Sequence, residues 1–188
     1  MINKLKVLVA TLALSISMQS YPVFAQDGGL TVTSKDFKEG ETLSIEHVYK
    51  GFGCEGGNLS PQLSWSGAPK DTKSYIITAY DPDAPTGSGW WHWTVVNIPA
   101  SLTSLNEGVS KTDAMPKGAV EGRTDYGSNG FGGACPPEGA KAHRYIFTVY
   151  AMPDAKYDID ENASGALVGF YANGNALAKG QIVAKYGR

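Results

Sequence analysis

The apolar positions of the chain fall mainly into short runs with the two-residue period of strands. Leu30-Thr31-Val32-Thr33 is brief and alternating, and residues 74–80 form a β-branched and aromatic run of the kind that fills a buried strand. Residues 91–98 and 145–152 read the same way, each with a histidine near its polar end. Gly, Pro, Asn and Asp punctuate the intervals. These intervals are too rich in Gly and Pro to hold helical crossovers, which argues against alternating strands and helices. An antiparallel β-sandwich, or a barrel-like pair of sheets, is the expected architecture. One helix is expected near the C-terminus. Ser164 is a suitable N-cap, Ala166, Leu167, Phe170 and Tyr171 have helical spacing, and Asp160 and Glu161 precede the positive end. Its end falls between residues 172 and 179, and residues 181–186 read as a last strand.

The N-terminus carries a different pattern. Lys4 and Lys6 precede an apolar run at residues 7–16, and Val23-Phe24-Ala25 resembles a cleavage site with Gln26 as the new terminus. Residues 1–25 are therefore read as a signal peptide, and residues 26–188 as one domain of an exported, periplasmic or secreted protein. The competing reading, a membrane anchor, needs a longer apolar run. No later segment is long and apolar enough to span a bilayer.

Charge and cysteine content narrow the function classes. The formal net charge is −2, and the leader contains two lysines and no acid, so its removal leaves a more acidic chain. With no Lys/Arg cluster, the chain lacks the electrostatic footprint of a nucleic-acid binder or of a protein held on anionic lipid. Cys54 and Cys135 are the only cysteines. In an exported protein a lone pair reads as a disulfide, which on the chain-entropy account stabilises by roughly 4–5 kcal/mol. A reactive thiol is the rival reading.

Candidate chemistry gathers in two stiff segments. Asp81-Pro82-Asp83-Ala84-Pro85 is followed by His92, and Cys135-Pro136-Pro137 by His143. Prolines fix the backbone around the ionisable groups, which suggests a preformed polar pocket. By strand alternation Asp81 and Asp83 share one side, and His92 points away from Trp91 and Trp93. The plainer reading of the first segment is an Asp-Pro turn whose carboxylates accept backbone N–H groups. Asp81, Asp83, His92 and His143 could together bind a metal, but no pair has a diagnostic ligand spacing. No Gly-x-Ser-x-Gly elbow is present, and two acids on one turn do not flank a sugar from opposite sides. Neither catalysis nor a metal or other cofactor is expected. Anion binding suits the residue types better. Residues 130–134, Gly133 included, could offer successive backbone N–H groups as a concave nest, and the imidazoles add donors.

These segments resemble the phosphatidylethanolamine-binding protein family. The carrying residues are Asp81-Pro82-Asp83-Ala84-Pro85, His92-Trp93, residues 135–139 with Cys-Pro-Pro-Glu-Gly, and His143-Arg144-Tyr145. Residues 51–61 and 164–169 agree as well. The likeness is greatest to the bacterial Raf-kinase-inhibitor-like YbhB/YbcL branch, and export makes the chain most similar to the YbcL type. The resemblance implies a β-rich sandwich with a few short helices. It also implies a small surface pocket for phosphate-type anions or phosphoryl head groups, lined by Asp81, Asp83, His92, Pro136, His143 and Tyr145. It makes Ala84-Pro85 a candidate cis peptide. Ala134, standing where relatives often carry proline, implies a looser pocket rim. Eukaryotic members bind kinases, peptidases or transcription factors, so a protein-interaction or inhibitor role of the rim is the alternative to a small-ligand role. Because charged imidazole favours an anion, occupancy is expected to rise as pH falls through the histidine range near about 6.5.

Overall fold

The β-branched and aromatic runs form the strands of a computed structural model that describes residues 29–188. The signal peptide expected at residues 1–25 lies outside the described residues. In chain order the strands are β1 (Thr31–Thr33), β2 (Lys50–Gly51), β3 (Cys54–Glu55), β4 (Leu63–Ser66), β5 (Ser74–Asp81), β6 (Trp90–Pro99), β7 (Ser104–Leu105), β8 (Val120–Glu121) and β9 (His143–Met152). Helix α1 (Gly165–Asn175) and strand β10 (Ala178–Tyr186) come last, and a single 3-10 turn (Ile45–His47) precedes β2.

Three antiparallel sheets result. The large one runs β10-β9-β5-β6-β8, a second runs β1-β4-β7, and β2 pairs with β3. The sandwich core lies between the first two. Leu63, Trp65 and Leu105 from the smaller sheet meet Ile77, Trp93, Val95, Phe147 and Val149 from the larger. A second apolar layer of Ile76, Val96, Tyr150, Met152, Val168 and Ala172 joins the opposite face of the large sheet to α1. The expected antiparallel sandwich with a helix near the C-terminus is the fold of the protein.

The β5–β6 ladder slips register at two points. Tyr75 pairs with Ile98 and Ile77 with Val95, while Ala79 pairs with Trp93 and Tyr80 with Trp91. The first slip contains Asn97, at a positive φ of 60°. Its side chain bonds both the N–H and the carbonyl of Tyr157, at 2.8 and 3.0 Å. The second slip leaves His92 as an extra residue with no partner on β5. A bulge re-aims side chains, so the expected alternation fails here. Trp93 is in the sandwich core, whereas Trp91 lies under α1 on the other face.

Helix α1 starts at the expected cap, with Ser164 Oγ accepting from the Leu167 N–H at 3.2 Å. Its packing face differs from the apolar spacing. Leu167 and Phe170 are exposed, and Gly165, Val168, Gly169 and Ala172 are buried. Glycines one turn apart let the helix rest on the Trp91 indole, where a Cβ at Gly165 would overlap the ring. Gly165→Ala should therefore cost about 1–3 kcal/mol by overpacking. Gly174→Ala meets open space and should gain about 0.5–1 kcal/mol from helix propensity. Denaturant midpoints test this pair. Equal effects would mean that the contact with Trp91 does not govern the site.

Candidate functional site

The bulge, the Asp-Pro turn and the disulfide loop meet at one end of the large sheet around a cavity of about 250 Å³. Its wall is Phe52, Asp81, Ala84, Pro85, Thr86, Trp90, His92, Tyr126, Cys135, Pro136, Pro137 and His143. Polar groups are few and aromatic surface is ample, the usual make-up of a small-ligand site.

Asp81 ends β5 and is 3% exposed. Its Oδ1 accepts from the Asp83 and Ala84 N–H groups at 2.8 and 3.1 Å, closing the Asp-Pro turn. Its Oδ2 accepts from His143 Nδ1 at 2.7 Å. One carboxylate therefore realises the plain turn reading and also orients the His143 ring. That turn needs no cis bond. Among the described residues every peptide bond is trans, Ala84-Pro85 included, contrary to the expectation drawn from the resemblance.

His92 is 3% exposed. Its Nδ1 lies 2.8 Å from the Gly132 carbonyl and 3.1 Å from that of Gly133. Carbonyls only accept, so Nδ1 carries the proton and Nε2 keeps a bare lone pair in the neutral ring. Nε2 is buried without a hydrogen-bond partner. Burial pushes the His92 pKa below its ordinary 6.5, against an opposing pull from the Gly132 carbonyl. The neutral form is favoured.

Glycine loop 130–134 does not form the expected anion nest. The N–H groups of Phe131, Gly132, Gly133 and Ala134 are bonded to Ser110 Oγ, the His92 carbonyl, Asn58 Oδ1 and the His47 carbonyl respectively. The loop instead presents carbonyls to His92, and Tyr126 donates to the Gly133 carbonyl at 3.1 Å. Gly133 thus positions His92 from behind the wall. Its missing side chain matters, because a Cβ would overlap the backbone of residues 47–49. Nor is the rim loose at Ala134. This residue bridges Val48, with its carbonyl accepting from Tyr49 N–H at 2.9 Å.

The remaining expected residues divide. Pro136 is on the wall. Tyr145 stands behind it, its ring edge-on to His92 at 5.0 Å, and burial raises its phenol pKa. Asp83 turns away from the cavity and holds Arg144 in a two-pronged contact, at 2.7 and 2.9 Å. The Arg144 guanidinium lowers the Asp83 pKa to about 2. Whatever this exposed pair contributes is present above the ordinary 3.8 and lost as pH falls toward about 2. Asp81 and Asp83 face different surroundings because the carboxylate of the first is consumed inside the turn.

Sequence reasoning missed the aromatic wall of Phe52, Trp90 and Tyr126. Tyr126 stacks on Tyr49 at 3.8 Å and packs edge-on to Trp90 and His92. Each had a local signal, a large aromatic set among turn-forming glycines (Gly51-Phe52-Gly53, Gly89-Trp90, Tyr126-Gly127). The disulfide Cys54–Cys135 is formed, and it ties β3 to the Pro136-Pro137 wall. Among the described residues no helix is long and apolar enough to cross a membrane.

Known proteins share this chain's pattern along most of its length. The UPF0098 protein YbcL of Escherichia coli is 53% identical over 178 residues, 94% of this chain and 97% of that protein. UPF0098 protein YbhB of the same organism is 49% identical over 158 residues, 84% of this chain and 99% of that one. Neither name states a reaction. The crystal structure of E. coli YbcL superimposes with a TM-score of 0.82 at 55% identity, covering 85% of this chain and 98% of that one. A Chlamydia trachomatis homologue gives 0.71 at 27% identity, over 86% and 99%. The family profile described as phosphatidylethanolamine-binding protein matches residues 33–187. With nearly all of its strands and the whole cavity inside that match, the chain belongs to the phosphatidylethanolamine-binding protein family.

Proposed function

We propose that this is an exported, non-catalytic, single-domain binding protein whose cavity takes a phosphate-type anion or phosphoryl head group. The observation that carries the reading is the bare Nε2 of His92, buried on the cavity wall beside the Asp81–His143 pair. A buried acceptor without a partner is costly, and a protonated phosphoryl oxygen would satisfy it. The cavity, near 250 Å³, falls below the range of about 300–1,000 Å³ usual for drug-sized ligands, which suits a head group better than acyl chains. Trp90, Tyr126 and Phe52 would cover the organic part of such a ligand, and an ammonium group gains from aromatic faces. Cys135, on the wall, is locked in the disulfide and offers no nucleophile. The disulfide also supports export to an oxidising compartment.

Proton bookkeeping fixes the pH response. A phosphoryl monoester has a second pKa near about 6, and His92 is held below 6.5 by burial. Binding therefore takes up a proton, on the ligand or on the imidazole, and affinity rises as pH falls. Without ligand the sign for stability is opposite. The unfolded chain charges His92 first, so stability falls as pH drops below 6.5. Nuclear magnetic resonance titrations with phosphate and phosphorylethanolamine, from about pH 8 to pH 5, should show saturable shifts of the His92 and His143 rings. Affinity should increase toward acid and be lost in His143→Ala. An affinity flat with pH would count against the proposal.

Phe52 favours a second reading. It stands at the cavity mouth 70% exposed, at a positive φ of 53°, and an aromatic held outward in this way is a handle for a partner protein. No shifts at millimolar phosphate would move the function to that rim.

A further inference from the structure

His47, the one histidine outside the cavity, is 1% exposed. Its Nδ1 lies 2.9 Å from the Leu59 carbonyl, so Nδ1 donates, and in the neutral ring Nε2 presents its lone pair. Nε2 points to Asp36 Oδ2 at 3.7 Å, too far for a hydrogen bond. A lone pair facing a carboxylate at that range is repulsive unless a proton or a metal cation lies between them. Glu107, exposed on the turn after β7, supplies a third donor, and the three ligand atoms all lie within 4.8 Å of one another.

We infer that Asp36, His47 and Glu107 form a site for a divalent cation of the zinc type. Bond lengths of about 2.0–2.2 Å set donor–donor separations near 3.3–3.6 Å in a tetrahedron. The Asp36–His47 pair is already close to that spacing, and Glu107 completes the set by a side-chain rotation. The outer partners are those that orient metal ligands. A backbone carbonyl fixes the His47 tautomer, and the Gln62 N–H holds Asp36 Oδ2 at 2.6 Å. Imidazole nitrogen and carboxylate oxygen are both donor types that zinc accepts, and the set leaves a fourth position open. The ion would clamp three segments that the disulfide does not join. Its site is separate from the cavity, although the His47 carbonyl accepts from Ala134 N–H behind the cavity wall.

The test is a zinc titration of full-length, disulfide-oxidised, chelator-stripped protein, followed by calorimetry and by the ring signals of the three histidines. The expected result is one ion per chain, with the His47 ring shifting first. Affinity should fall at least about tenfold in Glu107→Gln and stay unchanged in His143→Ala. Glu107 is exposed, so its variant folds and leaves the comparison clean. Three results would overturn the assignment: no binding below millimolar zinc, equal affinity in Glu107→Gln, or loss of binding in His143→Ala.

Discussion

Asp81→Ala is expected to lower folding stability by about 3–5 kcal/mol, the loss typical when one partner of a buried pair is removed. The substitution strands three donors, the Asp83 and Ala84 N–H groups and His143 Nδ1. Each stranded buried donor costs about 1–3 kcal/mol, partly recovered as water enters the vacated cavity corner. Asp81→Asn separates the two jobs of the side chain. Its carbonyl still closes the turn, but its amide now donates toward His143 Nδ1. The ring must then carry its proton on Nε2, which reverses that atom from acceptor to donor. Stability should fall by less than in Asp81→Ala, while the nitrogen-15 shifts of His143 report the other tautomer. An Asp81→Ala variant within about 1 kcal/mol of wild type would remove the carboxylate from the centre of the site.

Replacing Cys54 and Cys135 together by serine is expected to cost roughly 4–5 kcal/mol, from the chain entropy of a loop closed across 81 residues. The native cavity should survive the change. Ala134 remains bridged to Val48, and Arg188 bonds the carbonyls of Pro136 and Gly53 at 2.8 Å each. The denaturation midpoint should therefore drop while the His92 and His143 ring signals stay in place. Shifted rings would mean that the bond shapes the folded wall. A loss below about 1 kcal/mol would contradict the entropic account.

Much of the fold was legible along the chain. The strands at residues 74–80, 91–98 and 145–152 were found because burial on both faces selects continuous β-branched and aromatic runs. Ser164 marked the start of α1 through local hydrogen bonding. The short strands β2, β3, β7 and β8 left no period to detect, since two residues cannot show alternation. The helix face was misread for a physical reason. Apolar spacing identifies residues that could pack, whereas Gly165 and Gly169 show that closeness to Trp91 selected residues with nothing to pack.

The candidate site divides along the same line. Residue types and local backbone restriction were enough to establish the chemical inventory. They put Asp81, His92, Pro136 and His143 in or just beside two proline-stiffened segments and left two cysteines available for one bond. How the inventory is used was settled by long-range packing. A bulge with no local signature turned His92 inward and split Trp91 from Trp93. Distant acceptors consumed the loop amides 131–134 that glycine content made available. Arg144 drew Asp83 out of the cavity. Hydrogen-bond direction and strand register depend on partners dozens of residues away, and the partner's position is set by the packing of the whole sandwich.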